Sequence, residues 1–225
     1  MDARAVARVK QLYFSIEGRQ GAYEYKIDHP AFAKWKARRN YIDRLNVILG
    51  EVGSVEGKEV LDIGCCEGAF SHHLAKRGAA VTGVDWSAWR IELAGAISAV
   101  YGLSPQNPVF LAMRFEAYLE ERTRHFGKNF LRYDFILYLA LFHHFLRKGL
   151  KVAWEKVALI SQCTDRAFIE IDYTPIHCAR VIRMGHKPKE LPVAIPRLII
   201  ENSGFKAFKE LPTRRAMRHF YLFTT

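Results

Sequence analysis

Two carboxylates and two glycines are the residues whose types and spacing point most directly to chemistry. The stretch Val60-Leu-Asp-Ile-Gly-Cys-Cys-Glu-Gly-Ala-Phe-Ser-His-His-Leu has the form D-x-G-x-x-x-G and reads as a strand, a bend bracketed by Gly64 and Gly68, and a helix. Glycine opens backbone torsions closed to other residues and lets a ligand approach the main chain without meeting a Cβ, while the first N–H groups of the new helix are unpaired. A phosphate cradle would need G-x-G-x-x-G or a closing Gly-Lys-Ser/Thr, and neither pattern is present. Instead Asp62 stands at the floor of the bend, where negative charge repels phosphate and attracts an ammonium or sulfonium. The ligand is expected to carry a cation. A second strand, GAAVTGVDW, ends at Asp85, the position from which a carboxylate accepts hydrogen bonds from both hydroxyls of a ribose. The ligand is expected to carry a ribose as well.

Histidine supplies the second chemical clue. His143 and His144, in LFHHF, follow the apolar run FILYLALF. An imidazole there suits removal of a proton from a hydroxyl or protonated amine, and only one of the two can act. The competing reading packs one ring on the core and leaves the other in solvent. His72 and His73 are adjacent on a helix, so they diverge by about 100° and cannot share a metal ion. No metal site is expected.

These residues need elements to position them. Short apolar runs at Glu59–Ile63, Ala80–Asp85, Val109–Met113, Asp134–Tyr138 and Ala167–Asp172 alternate with segments long enough for crossover helices, which predicts five parallel strands covered on both faces. Gly204–Leu211 and Met217–Phe223, joined by the short PTRRA, predict an antiparallel hairpin at the sheet's edge. Residues 1–56 read as a helical appendage with a helix from about Ala31 to Leu49, and residues 57–225 as the ligand-binding domain. TPIHCARVIRMGHKPKELPVAIPRL, after the fifth strand, reads as a long functional loop. With the appendage it is expected to form a lid and acceptor pocket, touched by Tyr23, Tyr25, His177, Arg180 and Arg183. Two alternatives stay open: solvated Arg side chains in the loop, and packing as the sole role of the aromatics of GAYEYKIDHPAFAKW.

In VLDIGCCEGAF, VTGVDWS and YDFILYLALFHHFL, taken in order and spacing, the sequence resembles the class I S-adenosylmethionine-dependent methyltransferases over about residues 57–225. The resemblance implies an α/β, Rossmann-like seven-stranded sheet, mostly parallel, with a terminal antiparallel hairpin and helices on both faces. It implies S-adenosylmethionine as methyl donor and S-adenosylhomocysteine as product. Asp62, Gly64 and Gly68, with Cys65 on the same bend, would surround the methionine part, and Asp85 would bind the ribose. Trp86, Phe115 and Glu116 would border the adenine, and Tyr138 and Leu139 the methionyl group. Strand three leads into Arg114 before Glu116, so Glu116 is the acidic candidate at the adenine. The Cys65 and Cys66 thiols are read as packing.

Composition bounds what remains. The chain has 225 residues, half of them apolar, and 34 Lys+Arg against 23 Asp+Glu give a formal charge of +11. That excludes disordered and collagen-like chains and allows one main core. Four cysteines without regular spacing point to a reducing cytoplasm, and MDARAVARVK lacks the apolar stretch of a signal peptide, so a soluble cytoplasmic protein is expected. The acceptor is expected to be an oxygen or nitrogen of a small or medium-sized metabolite. RNA, tRNA included, stands as the alternative because basic side chains neutralise phosphates. A non-catalytic binding protein is the reading from another class. No membrane partner is expected, and the oligomeric state is not legible.

Overall fold

The computed structural model describes residues 3–15, 26–35, 41–126, 132–214 and 217–225. Seven strands form one sheet: β1 (Glu59–Ile63), β2 (Ala80–Asp85), β3 (Val109–Ala112), β4 (Phe135–Tyr138), β5 (Arg166–Asp172), β6 (Ala207–Leu211) and β7 (Arg218–Thr224). Their order is β3-β2-β1-β4-β5-β7-β6. The chain divides into two compact units, Met1–Tyr118 and Leu119–Thr225.

In the first unit, β1, β2 and β3 pair in parallel, with Asp62 opposite Gly83 and Asp85 opposite Ala112. After its exposed first residue β1 is buried throughout. Its crossovers are α3 (Ala69–Ala75) and α4 (Ala88–Val100). The N-terminal helix α1 (Ala3–Tyr13) packs on α4. Arg8 pairs with Glu92 there, and the Trp89 indole donates to the Leu12 carbonyl at 3.3 Å and to Ser15 Oγ at 3.1 Å. The helix expected from Ala31 to Leu49 is not one element. A single 3-10 turn occupies Pro30–Phe32, capped by His29 Nδ1 accepting from the Ala31 N–H, and α2 begins only at Ile42 and runs to Val52. Residues 36–40 lie outside the described set. Phe32 and Trp35 pack on each other at 4.8 Å, and Trp35 packs on Tyr13 of α1 at 4.3 Å.

In the second unit β4 is buried at all four residues and pairs in parallel with β5. β7 lies antiparallel to both β5 and β6, which puts the hairpin at the edge as its short connection requires. Helix α5 (Phe115–Phe126) starts in the first unit and ends in the second, and α6 (Phe142–Lys148) and α7 (Leu150–Ser161) lie wholly in the second. The long loop expected after β5 is instead helical: α8 (Pro175–Ile182), a 3-10 turn at Pro188–Glu190, and α9 (Leu191–Glu201).

Its prolines misled the sequence reading because most of them start helices, where a missing N–H costs nothing. Only Pro196 falls inside one. It cannot donate to the carbonyl four residues back, at Pro192. The Tyr221 hydroxyl of β7 donates to that carbonyl instead, at 3.0 Å, and itself accepts from the Tyr173 hydroxyl at 3.0 Å. Tyr221→Phe is therefore expected to cost about 1–3 kcal/mol, the penalty of a buried acceptor left unpaired. Urea denaturation measures this, and an unchanged midpoint would show that the carbonyl does without the hydroxyl.

Candidate active site

The bend after β1 is built from three left-handed residues: Gly64 at φ 72°, Cys66 at φ 52° and Gly68 at φ 78°. Val84 of β2 anchors its start, its carbonyl accepting from the N–H groups of Gly64 (2.7 Å) and Cys65 (3.2 Å). The Gly68 N–H closes the turn onto the Cys65 carbonyl at 2.8 Å, and α3 starts at once. Asp85, at the end of β2, holds the tip: its carboxylate accepts from Cys66 N–H at 3.2 Å and from Ser87 N–H at 2.9 Å. A carboxylate has about four acceptor positions, so Asp85 retains capacity for a further donor.

Asp62 is buried, and Ser71 Oγ donates to it at 2.6 Å. Burial pushes its carboxyl up to about 6; the Ser71 hydrogen bond opposes this, Asp85 adds to it, and Arg44 offsets a little. An under-compensated carboxyl of this kind is stabilised by an approaching cation, which restores its ionised form. The donor set therefore fits a ligand with an ammonium or sulfonium beside the bend.

The other residues of this unit fall as follows. Trp86 is 77% exposed, directly after Asp85. Phe115 is buried at the start of α5 and Glu116 half-buried beside it. Cys65 is buried, and Cys66 accepts a contact from Arg90 at 3.4 Å; burial drives both thiols far up, so neither is a thiolate. His72 is a core residue. It is fully buried, its Nε2 pairs with the Ala94 carbonyl and Ser98 Oγ at 3.0 Å each, and burial pushes it down to about 3. His73 turns elsewhere, to the Tyr41 hydroxyl at 2.8 Å.

In the second unit the carboxyl edge of β4 and β5 gathers three histidines. His143 is 2% exposed and His144 exposed, their rings 4.3 Å apart. His177, from the first turn of α8, lies 4.5 Å from His143 and 6.0 Å from His144. Burial, then His144 and His177, push His143 down to about 3; burial, then His177, Arg147 and Arg218, also lower His144. Asp172, the last residue of β5, faces this group. Burial raises its carboxyl, but the Thr174 hydrogen bonds and Arg218 outweigh that and leave it below the usual range. Sequence reasoning missed Asp172 and Arg218, although Asp172 ends its strand as Asp62 and Asp85 end theirs.

Tyr138 is fully buried with its ring 6.4 Å from Phe145, so only its main chain is available to a ligand. Leu139 is half-buried and followed by Ala140 at φ 55°, where β4 gives way to α6. Of the expected pocket residues, His177 joins the cluster. Arg180 instead caps the end of α6, donating to the carbonyls of Arg147 (3.2 Å) and Lys148 (3.3 Å). Arg183 folds onto the Ala179 carbonyl of its own helix. Tyr23 and Tyr25 lie outside the described residues.

A seven-stranded sheet in this order, with a glycine bend after its first strand and a terminal antiparallel pair, defines the Rossmann-like methyltransferase fold. The chain belongs to the methyltransferase-domain family, whose model matches residues 32–149. Among similar curated proteins, the ubiquinone biosynthesis O-methyltransferase of Pasteurella multocida is 33% identical over 86 residues, 38% of this chain and 34% of that protein. The O-antigen chain terminator bifunctional methyltransferase/kinase of Escherichia coli is 26% identical over 66% of this chain and 21% of its own length. The chain thus spans about a third or less of these relatives. Among solved structures, the magnesium protoporphyrin IX methyltransferase of Synechocystis PCC 6803 with bound SAM shares the fold at TM-score 0.62 and 18% identity, covering 100% of this chain and 97% of that one. Monomeric WbdD does so at TM-score 0.70 and 20% identity, over 96% of this chain and 48% of its own. Among the described residues, no helix is long and apolar enough to cross a membrane.

Proposed function

We propose that the chain binds S-adenosylmethionine at the glycine bend and transfers its methyl group to an oxygen or nitrogen of a small or medium-sized metabolite. The observation that carries this reading is the pair of strand-end carboxylates at one bend: Asp62, buried and under-compensated, and Asp85, fixed by two backbone N–H groups. Bound there, the donor supplies an electrophilic methyl on a sulfonium. Asp62 balances its positive charge, Asp85 accepts from the ribose, and Trp86 and Glu116 border the adenine. Methyl transfer is an in-line displacement that depends chiefly on holding nucleophile and methyl collinear. His144, exposed where His143 is not, takes the acceptor's proton. Helix α1 of the N-terminal appendage walls the cofactor side, a role supported by its packing on α4, the helix that follows Asp85. The free thiols fit a reducing cytoplasm.

Calorimetry with S-adenosylhomocysteine tests the assignment. Saturable binding is expected, weakened by about 1–3 kcal/mol in Asp85→Asn, which keeps an acceptor for one N–H but loses the charge. Failure of the wild-type chain to bind would end the enzyme reading and favour a non-catalytic protein. The formal charge of +11 keeps RNA as the second acceptor class. Transfer of labelled methyl to RNA that weakens steeply with salt would select it, whereas a salt-insensitive KM selects a metabolite.

A further inference from the structure

We propose that His143, His177 and Asp172 form a binding site for a divalent transition-metal ion of the Zn²⁺, Co²⁺ or Ni²⁺ kind. One ligand atom from each of the three lies within 4.8 Å of the others, close enough for small side-chain rotations to bring them onto one ion. Among the described residues the Nδ1 atoms of His143 and His177 are both buried and make no hydrogen bond, whereas the buried His72 Nε2 is paired. A metal ion gives both nitrogens the partner they lack.

Asp172 is built to be the third ligand. Its Oδ1 accepts from the Thr174 N–H at 2.9 Å and from the Thr174 hydroxyl, and its Oδ2 accepts from Arg218 Nε at 3.1 Å. Three of about four acceptor positions are taken, which leaves one on Oδ2 and fixes the carboxylate as metal-binding carboxylates are usually fixed. Arg218 does not cancel Asp172 alone, because it also faces Glu170 at 3.8 Å. The three ligands stand on regular elements: the first turn of α6, the end of β5 and the first turn of α8. Two imidazoles and one carboxylate suit borderline ions and not Mg²⁺ or Ca²⁺, which prefer oxygen. Three protein ligands leave a coordination position open, as catalytic zinc sites do. In the methyl-transfer reading that position would take an oxygen of the acceptor; this use rests on that reading, whereas the site itself does not.

Sequence analysis named His143 and His177 for other roles and missed Asp172, since the three ligands lie 29 and 34 residues apart from His143 to Asp172 and His177 (172 − 143 and 177 − 143). The test uses chelator-treated chain carrying no histidine tag, titrated with Co²⁺ by visible absorption and with Zn²⁺ by calorimetry. One equivalent is expected, with affinity lower by about tenfold or more in His177→Ala and in Asp172→Asn, and unchanged in His125→Ala, an exposed ring elsewhere. His177→Gln, compared with wild type for an unchanged Tm, separates loss of a ligand from loss of the fold. No saturable binding, or the same affinity in a folded His177 variant, would overturn the site. S-adenosylhomocysteine binding without Co²⁺ binding removes only this site, and the reverse result removes only the cofactor reading.

Discussion

Replacing His144 by Ala is expected to lower turnover about 10²–10⁴-fold, the usual contribution of a positioned proton acceptor, while S-adenosylhomocysteine binds as before. The expectation follows from exposure. His143 is 2% exposed and enclosed by His144 and His177, so an incoming hydroxyl meets His144 first. His144 sits in the first turn of α6, a short helix whose far end is held by the Arg180 guanidinium on the carbonyls of Arg147 and Lys148. That clamp fixes the helix, and with it the ring, to α8. Arg180→Ala would loosen the ring without touching the acceptor, and so should lower kcat more than it raises KM. Single-turnover transfer from labelled S-adenosylmethionine, run with the wild type and the two variants, separates these effects. Full turnover in His144→Ala would mean that transfer proceeds by alignment of the reacting atoms alone. A parallel loss of cofactor affinity would place the damage in the fold and not in proton transfer.

The sheet was legible because each strand advertises itself twice, by a short apolar run and by the break that ends it. Glu59–Ile63, Ala80–Asp85 and Phe135–Tyr138 fall where the period changes, and the hairpin follows from two strand-like runs too close together for a crossover. The bend was legible for the same local reason: glycine is needed where φ is positive, and Gly64 and Gly68 are such positions. What failed to show was decided at a distance. Pro196 looks like a helix breaker until Tyr221, 25 residues on (221 − 196), is seen to serve the carbonyl that the proline abandons. His72 carries the same side chain as His143 in an equally adjacent pair, yet Ser98 and Ala94 make it a satisfied core residue. Asp172 and His177 join His143 only because β4 and β5 are neighbours, a pairing that no spacing along the chain encodes.

Gly68→Ala should both destabilise the chain and abolish cofactor binding, because position 68 is constrained twice. Its φ of 78° is left-handed, which costs a residue with a Cβ about 1–2 kcal/mol. That Cβ would also lie 2.5 Å from Phe110 Cζ and 2.9 Å from His72 Cε1. Moving either ring disturbs the other, since the two pack at 5.2 Å. Phe110 already lies against Gly83, where an added Cβ would meet the ring at 2.8 Å, and His72 is held by its two hydrogen bonds at 3.0 Å. Overpacking of this kind costs about 1–3 kcal/mol, so the whole change removes about 2–5 kcal/mol from a net stability of about 5–15. Any relief must come from the bend itself, whose displacement would carry the Cys66 N–H off Asp85 and dismantle the ligand side of the site. Gly95→Ala, inside α4 with nothing within 4 Å, should leave binding intact and raise stability by about 0.5–1 kcal/mol. Shrinking the obstacle by Phe110→Leu in the Gly68→Ala background should recover part of the loss, since residues in contact couple. Thermal melts with and without S-adenosylhomocysteine read both effects, and a Gly68→Ala chain with unchanged Tm and ligand shift would mean that the bend is not held by Phe110 and His72.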